Sequence, residues 1–193
     1  MTDLPTARTA RCDVLVTGAL EPGVVSSCTL VRDGATIAIV DPGMVVRQDD
    51  ILEPLAAFGI GPRTVTDVIL SHHHPDHTMN VALFAEASVH DHWAIYRADA
   101  WTDQDAEGYE LTPSVRLIRT PGHTAEDIST IVGTPAGIIV LTHLWWDASG
   151  PAEDPFAVDL ELLAHSRRRV LAIADTIVPG HGPPFAPSDA TPR

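Results

Sequence analysis

Seven of the ten histidines in this 193-residue chain lie at or just beyond the ends of short apolar segments that are typical of β-strands. One segment leads into the run from Ser71 to His77, and three others lead to His123, His143 and His181. Loops at the ends of strands in a rigid sheet are where binding sites assemble. One such histidine alone is more often structural, but the repeated pattern predicts that several strands deliver histidines to one place.

Hydrophobic patterning predicts more strands than helices. Segments rich in Val, Ile and Thr predict strands, and the Asp33-Gly34 pair predicts a tight hairpin turn, because glycine accepts a positive φ. Helical spacing predicts helices over residues 48–58, which Pro54 weakens or kinks, 78–85 and 159–173. The predicted strands cover residues 12–18, 24–32, 35–40, 67–71, 87–90, 114–119, 127–132, 136–141 and 176–178. This order favours an α+β fold in which helices cover the outer faces of packed sheets.

The length and composition are typical of one globular domain over residues 1–193, since a domain usually contains ~100–200 residues. The proline-rich end, residues 183–193, is expected to be an extended or frayed tail. No apolar stretch reaches the ~18 residues of a membrane-spanning helix. The polar start of the chain lacks the apolar core of a signal peptide, so we expect a cytoplasmic protein without membrane contact. In that compartment Cys12 and Cys28 are expected to stay reduced.

The chain is strongly acidic, with a formal net charge of −14. All twelve basic residues are arginines, and no lysine occurs. This composition excludes a P-loop lysine and Schiff-base or pyridoxal chemistry on lysine. It also argues against a broad phosphate-binding surface, which requires clustered positive charge.

The run from His72 to His77 contains the pattern H-x-H-x-D-H. Alternate residues of an extended segment point the same way, so His72 and His74 can chelate one ion. Asp76 and His77, at the turn that follows, are expected to point at a second position nearby. Imidazole and carboxylate ligands suit Zn²⁺, Mn²⁺ or Fe²⁺. A purification tag would instead lie at a terminus, without the interleaved Asp and Pro.

Several other side chains have two interpretations. His73 lies between the two chelating histidines and is expected to face away from the ion. His90 and His92 are expected on a surface loop rather than in the cleft. Trp145 and Trp146 either wall a substrate pocket or pack beneath the loop that carries them, and the sequence favours neither.

The predicted helix over residues 159–173 has an apolar stripe and a basic stretch. The stripe contains Leu160, Leu163, Val170 and Leu171. His165 and the stretch Arg167–Arg169 are expected to face solvent. RNA contact is the alternative for these arginines, and the net charge disfavours it.

Nearly the whole chain resembles the metallo-β-lactamase fold hydrolases. The features that carry the resemblance follow the order of the family: Asp41, the H-x-H-x-D-H run at residues 72–77, His123, a ligand position near residue 143, and His181. The stretch from Ser166 to Phe185 is similar to the metallo-β-lactamase domain-containing protein 1 branch, whose small members include an RNA endonuclease.

The resemblance implies a four-layer αβ/βα sandwich with a dinuclear metal site at one edge. It assigns the first metal to His72, His74 and His123. It assigns the second metal to Asp76, His77 and His181. Asp41 would stand beside the metal loop as an orienting or structural residue.

The chain departs from the family at the fourth ligand position. The family usually has Gly-Asp there, and the carboxylate bridges both metals, whereas this chain has Thr142-His143. A neutral imidazole has one available lone pair and cannot bridge. His143 is therefore expected to bind one metal or to stand beside the pair, which puts the metal count, the metal identity and the activity in question.

These observations predict a hydrolase that uses a metal-bound hydroxide on an ester-type bond, with Asp76 able to accept the proton of the attacking water. The expected cofactor is one or two Zn²⁺ ions, with Fe²⁺ or Mn²⁺ as alternatives. The expected substrate is a small ester, thioester or lactone, with an RNA phosphodiester as the second choice by resemblance. The rival hypotheses are a non-hydrolytic iron enzyme and a metal-binding protein with impaired catalysis. A homodimer is left open.

Overall fold

The computed structural model describes residues 3–193, so Met1 and Thr2 of the predicted domain lie outside the described residues. Two β-sheets pack face to face. The first sheet has the strand order β1 (Arg11–Val16), β2 (Cys28–Asp33), β3 (Thr36–Val40), β4 (Asp67–Ile69), β5 (Ser88–His90), β6 (Ala94–Arg97) and β7 (Ala100–Asp103). The second has the order β12 (Thr176–Val178), β11 (Gly137–Leu141), β10 (Ile128–Thr134), β9 (Val115–Arg119) and β8 (Glu110–Thr112).

The helices lie outside the two sheets or in the loops between strands. They are α1 (Asp49–Ala57), α2 (Pro75–Thr78) and α3 (Leu160–Leu171), with 3₁₀ turns at Pro62–Thr64 and Val81–Phe84. One hydrophobic cluster joins the facing sides of the two sheets. A second joins the first sheet to α1, and a third joins the second sheet to α3. This order of layers, helix, sheet, sheet and helix, is the predicted four-layer α+β sandwich.

Local sequence explains the main elements. β2 and β3 pair in antiparallel register from Asp33 opposite Thr36, and Gly34 in the predicted turn has a φ of +60°. Helix α3 begins after Asp159, whose side chain accepts hydrogen bonds from two backbone N–H groups of the first turn. All seven residues of β10 are buried, as expected for a central strand between two layers.

Several sequence predictions were wrong in detail. The predicted helix over residues 78–85 is instead the short helix α2 followed by a 3₁₀ turn. Strands β6, β7 and β8 were not predicted, and all of β7 is exposed, so it lacks the alternation of a half-buried strand. Residues 24–27 do not belong to β2. Val25 instead pairs with Ala19 in a small hairpin ahead of that strand.

The C-terminal tail, residues 183–193, is packed on the domain rather than frayed. Phe185 exchanges two backbone hydrogen bonds with Ile177 of β12. The carbonyl of Pro192 accepts a hydrogen bond from the indole N–H of Trp145, and Thr191 is buried. Across residues 3–193, no helix combines the length and the apolar character that crossing a bilayer requires.

Candidate metal centre

Five strands end at the same side of the sandwich, and a ligand-type side chain follows each of them. Asp41 follows β3, the His72 loop follows β4, and His123, His143 and His181 follow β9, β11 and β12. The imidazole rings of six histidines meet there, with neighbouring ring centroids 4.2–5.4 Å apart. The structure therefore brings together the side chains that the sequence pattern selects.

His72, His74 and His123 form the first half of this cluster. Nδ1 of His74 lies 3.0 Å from Nε2 of His72 and 3.1 Å from Nε2 of His123. Two nitrogens bound to one tetrahedral zinc ion at about 2.0–2.1 Å lie ~3.3 Å apart. Both distances from His74 are close to that spacing.

Asp76, His77 and His181 form the second half. Oδ2 of Asp76 lies 3.4 Å from Nε2 of His77 and 3.5 Å from Nε2 of His181. Nε2 of His77 is buried and has no hydrogen-bond partner. Oδ2 of Asp76 therefore lies near the Nε2 atoms of both histidines, and no hydrogen bond joins it to that of His77.

His143 lies between the two halves. It belongs both to a histidine triplet with His72 and His123 and to one with His77 and His181, and the ligand atoms within each triplet lie within 4.8 Å of one another. Nε2 of His143 is 3.1 Å from Nε2 of His181, while its Nδ1 is buried without a partner. The middle of the cluster thus holds an imidazole with one unsatisfied nitrogen.

Hydrogen bonds from outside the cluster orient three of the rings. Nδ1 of His77 lies 2.9 Å from Oδ2 of Asp41, and Nδ1 of His123 lies 2.6 Å from Oδ2 of Asp154. Nδ1 of His181 lies 3.0 Å from a backbone carbonyl oxygen, that of Val25. These partners only accept hydrogen bonds, so each Nδ1 carries the proton and each Nε2 turns a lone pair toward the centre.

Asp41 supports the cluster through both carboxylate oxygens. Besides its contact with His77, it accepts a hydrogen bond from the backbone N–H of Ser71 at 2.8 Å, just before the first ligand. The hydroxyl of Ser71 lies 3.0 Å from Nδ1 of His72. Asp41 has a φ of +50°, an uncommon conformation for a residue other than glycine that concentrates at functional sites.

The donor set fits a divalent cation. Nε2 of His77 faces the carboxylate of Asp76 inside the cluster and has no hydrogen-bond partner, and Nδ1 of His143 is also buried without one. A divalent cation would satisfy such buried acceptors, which are otherwise costly. Burial and neighbouring imidazoles lower the pKa of His72 and His143 well below 6.5, and burial lowers the pKa of His74 and His181. Neutral imidazole is the form that binds metal, so the shifts favour loading at neutral pH.

A cavity of about 200 Å³ opens onto the cluster. Its polar residues are the ligand candidates His74, Asp76, His123, His143 and His181. Its apolar residues are Leu20, Val24, Trp146 and Phe156. The cluster therefore forms the polar end of an apolar-walled pocket.

The chain matches the family model described as the metallo-beta-lactamase superfamily over residues 22–183. The chain belongs to this superfamily. It is 34% identical over 167 residues to metallo-beta-lactamase domain-containing protein 1 of Xenopus laevis, covering 82% of this chain and 71% of that protein. It is 35% identical over 161 residues to the protein of the same name from Homo sapiens, covering 76% of this chain and 58% of that protein. These matches support the predicted branch of the superfamily.

Two solved structures show the superfamily fold. A putative metallo-beta-lactamase from Thermotoga maritima superposes with a TM-score of 0.75 at 22% identity, covering 93% of this chain and all of that one. A structure of N-acyl homoserine lactone hydrolase, with N-hexanoyl-L-homoserine at its catalytic metal centre, superposes with a TM-score of 0.64 at 22% identity over 94% of each chain. As a member of the superfamily, the protein is a metal-dependent, hydrolase-like enzyme that uses divalent ions.

The secondary candidates divide between the site and the body of this metallo-β-lactamase domain. The ring of His73 points away from the cluster and stacks on that of Trp93, with ring centroids 5.2 Å apart. Its Nε2 lies 3.2 Å from Oδ2 of Asp91. His90 was expected on a surface loop, and this prediction was wrong. It is the last residue of β5 and is 3% exposed, and its Nε2 lies 2.8 Å from Oδ1 of Asp67. His92 is half-buried beside Trp93, outside the metal cluster.

The two tryptophans after His143 have different roles. Trp145 is fully buried in the cluster between the second sheet and α3. Trp146 lines the cavity and stacks on Phe156, with ring centroids 5.8 Å apart. Trp145 thus packs beneath the loop that carries it, and Trp146 forms part of the pocket wall.

The basic stretch of α3 is not a solvated face. Arg167 is 1% exposed and donates hydrogen bonds to the carbonyls of Leu144, Ala152 and Pro151 at 2.7–2.8 Å, which anchors the loop after His143. Arg169 pairs with Asp3 and Glu107. Arg168 and His165 are exposed as expected, but so is Leu160 of the predicted apolar stripe, at 48%.

Sequence reasoning missed the outer partners of the ligands. Asp154 binds His123, yet it lies in a polar loop with no pattern that distinguishes it from other acidic residues. The Val25 carbonyl that orients His181 is a backbone group and carries no sequence signal. The wall residues Leu20, Val24 and Phe156 were also missed, although large apolar residues within loops are a usable signal.

Proposed function

We propose that this metal-dependent hydrolase cleaves an ester-type bond in a small molecule, namely a carboxylic ester, a thioester or a lactone. The proposed ligands are His72, His74, Asp76, His77, His123, His143 and His181. Zinc is the proposed ion, in one or two equivalents, because a set of neutral imidazoles with one carboxylate suits Zn²⁺. A bound divalent ion would supply Lewis acidity and lower the pKa of a coordinated water.

The observation that carries the proposal is the position of Asp76. Its carboxylate lines the cavity, next to Nε2 of His77 and Nε2 of His181. It is the one carboxylate among the cavity-lining residues of the described chain, which supports its proposed role as acceptor of the proton of an attacking water. The proposed ligands line one end of the cavity, and apolar side chains line its sides.

Among the described residues, the walls of the pocket carry no cationic side chain that would hold a phosphodiester backbone. No arginine lines the cavity, as far as the described residues extend, and the chain has no lysine. Recognition of a phosphodiester backbone uses arginine or lysine contacts to phosphate. Two of the three arginines of α3 are engaged elsewhere, so RNA is the less favoured substrate.

The fold is consistent with lactone or ester chemistry. The N-acyl homoserine lactone hydrolase that shares it binds its product, N-hexanoyl-L-homoserine, at a catalytic metal centre. The relatives named metallo-beta-lactamase domain-containing protein 1 share more sequence, and the name itself states no substrate.

A parallel assay tests the proposal. Purified protein is incubated with an activated ester, a thioester, a lactone and bis(p-nitrophenyl) phosphate, and the metal content is measured on the same samples. We expect turnover of at least one acyl substrate above that of the phosphodiester, and Asp76→Asn should lower kcat/KM by at least ~100-fold. Asp99→Asn, a change of an exposed carboxylate, should leave the activity unchanged.

The other outcomes identify the alternatives. Faster turnover of the phosphodiester than of every acyl substrate would contradict the proposal and favour the RNA hypothesis. Bound iron with oxygen uptake would favour the iron enzyme. Full metal occupancy without any turnover would favour a binding protein. The expected cytoplasmic location stays a prediction, which cell fractionation checks. Light scattering decides whether the protein forms the homodimer that the sequence leaves open.

A further inference from the structure

Arg167 is a buried cation outside the metal cluster. It lies in α3 and is 1% exposed. Its Nε, Nη1 and Nη2 donate hydrogen bonds of 2.7–2.8 Å to three backbone carbonyls, those of Leu144, Ala152 and Pro151. A buried charge is costly unless it is hydrogen-bonded, and neutral carbonyls satisfy this one in place of a carboxylate. The free energy of burying Arg167 is therefore tied to the position of these carbonyls.

The three carbonyls lie at the two ends of one loop, residues 144–152, which we call the clamped loop. Its first residue directly follows the ligand candidate His143. Its last residue comes two positions before Asp154, whose carboxylate lies 2.6 Å from Nδ1 of His123. One planar guanidinium therefore holds together the two ends of a loop that joins two ligand positions.

The clamped loop also holds a third ligand candidate, His181. The carbonyl of Trp146 accepts a 2.7 Å hydrogen bond from the backbone N–H of His181. The carbonyl of Trp145 accepts one of 3.0 Å from the backbone N–H of Gly180. Arg167 also packs on this stretch, since its guanidinium carbon lies 5.6 Å from the centre of the Trp145 ring. A shift of the loop would therefore move the backbone that carries His181.

Helix α3 gives Arg167 a fixed base on the rest of the site. The hydroxyl of Ser166 donates a 2.8 Å hydrogen bond to the carbonyl of Pro121, in the loop that carries His123. In the same loop, Gly122 lies so close to α3 that a Cβ atom there would meet the helix at 2.4 Å. The helix thus contacts this ligand loop directly and reaches the clamped loop through Arg167.

We propose that Arg167 is a positioning residue for the metal centre: its guanidinium fixes the clamped loop in the conformation in which His123, His143 and His181 converge as metal ligands. This inference rests on the proposed ligand set and not on the substrate class. Three carbonyls in this arrangement match the planar fork of a guanidinium, whereas a lysine ammonium is a point charge that cannot reproduce the fork. The loop is therefore ordered before metal binds, so that metal binding does not have to order it.

The metal affinity of substituted proteins tests the proposal. Arg167→Lys keeps the charge and loses the fork, and it should lower the Zn²⁺ affinity about tenfold or more, measured by competition with a chromophoric chelator. The visible absorption of the Co²⁺-loaded variant should also differ from that of the natural protein, because the ligands stand in a different geometry. Arg168→Lys, at the next and exposed position of α3, should change neither measurement.

A second control separates positioning from stability. Leu55→Ala removes a fully buried side chain from α1, on the outer face of the first sheet. It should destabilise the fold and leave the Zn²⁺ affinity and the Co²⁺ spectrum unchanged. All proteins are compared under conditions in which circular dichroism shows them folded. If Arg167→Lys is destabilised like Leu55→Ala but keeps the natural affinity and spectrum, the inference is overturned.

Hydrogen exchange of the natural protein needs no variant. Backbone N–H groups of residues 144–152 in metal-free protein should exchange about tenfold or more slowly than those of an unstructured peptide of the same sequence. Exchange at the rate of the unstructured peptide would overturn the inference, even if Arg167→Lys did not fold. These measurements use no substrate, so a lack of hydrolysis in every assay would count against the proposed function alone.

Discussion

The carboxylate of Asp154 lies 2.6 Å from Nδ1 of His123 at a buried position outside the metal cluster. Burial alone would raise the pKa of Asp154. The hydrogen bonds from His123 and from the backbone of Phe156 outweigh burial and hold that pKa below its usual value. An ionised Asp154 keeps the proton on Nδ1 of His123 and leaves Nε2 free to bind metal.

Replacing Asp154 should weaken metal binding without removing a ligand. An amide in place of the carboxylate removes the charge that fixes the ring of His123, so Asp154→Asn should lower metal affinity by about 10–100-fold. Competition against a chromophoric chelator measures the affinity. The neighbouring change Glu153→Gln, at an exposed position, should have no effect. Equal affinities in the Asn variant and the natural protein would show that Asp154 does not orient the ligand.

His143 should make the two metal positions unequal. A single imidazole lone pair cannot bridge two ions as a carboxylate does, so we expect one tight and one weaker or empty position. His143→Asp should raise the metal content toward two equivalents, measured by titration of metal-free protein, while His165→Asp on the exposed face of α3 should not. Two equal, tight equivalents in the natural protein, with no gain in the Asp variant, would contradict this prediction.

Gly180 should be required for the position of His143. A Cβ atom at residue 180 would lie 2.5 Å from Cδ2 of His143, so the ring must move. Gly180→Ala is expected to lower the free energy of unfolding by about 1–3 kcal/mol and to reduce metal content. Gly23→Ala is the matched control, because its Cβ atom would meet nothing within 4 Å. Urea unfolding with metal analysis compares them, and indistinguishable variants would refute the prediction.

Asp127 should make stability depend on pH. Its carboxyl is 3% exposed, and burial raises the pKa to about 6, although Thr124 donates two 2.7 Å hydrogen bonds to it. An unfolded Asp has a pKa of about 3.9. Between about pH 4 and 6 the carboxyl is therefore protonated in the folded state and ionised in the unfolded state. The free energy of unfolding falls as the pH rises through this range.

The measurement compares metal-free natural protein with Asp127→Asn in urea at pH 4, 5, 6 and 7. Relative to the variant, the natural protein should lose up to about 1.4 kcal/mol of unfolding free energy per pH unit in that window. No further relative loss is expected above it. A relative gain of stability with rising pH would mean that Asp127 titrates below its unfolded pKa.

The architecture and the ligand loops could be predicted from the sequence because their signals are local. Buried strands such as β4 and β12 are short apolar runs, and the histidines follow them within a few residues. The turn at Gly34 is likewise encoded in two residues. The ligand loops come from both sheets, however, so their meeting depends on how the two sheets pack, which the resemblance to the family implied and the local pattern did not.

The remaining features depend on contacts between distant segments. Asn80 donates a hydrogen bond to the carbonyl of Gly43 at 2.9 Å, a contact that accompanies the break in the predicted helix over residues 78–85. Arg167 can be buried because three backbone carbonyls from distant loop residues accept hydrogen bonds from its guanidinium group. Nothing in the spacing of charged residues distinguishes such an arginine from a solvated one.

The central claim is that the clustered histidines hold a divalent ion, and metal analysis by plasma mass spectrometry tests it most directly. Protein purified without a chelator should contain at least one equivalent of a divalent metal. His123→Ala should lose most of it, because Nε2 of His123 lies 3.1 Å from the His74 nitrogen in the first half of the site. The exposed-position control His165→Ala should retain it. Equal metal content in all three proteins, or none in the natural protein after titration with Zn²⁺, Fe²⁺ and Mn²⁺, would contradict the account.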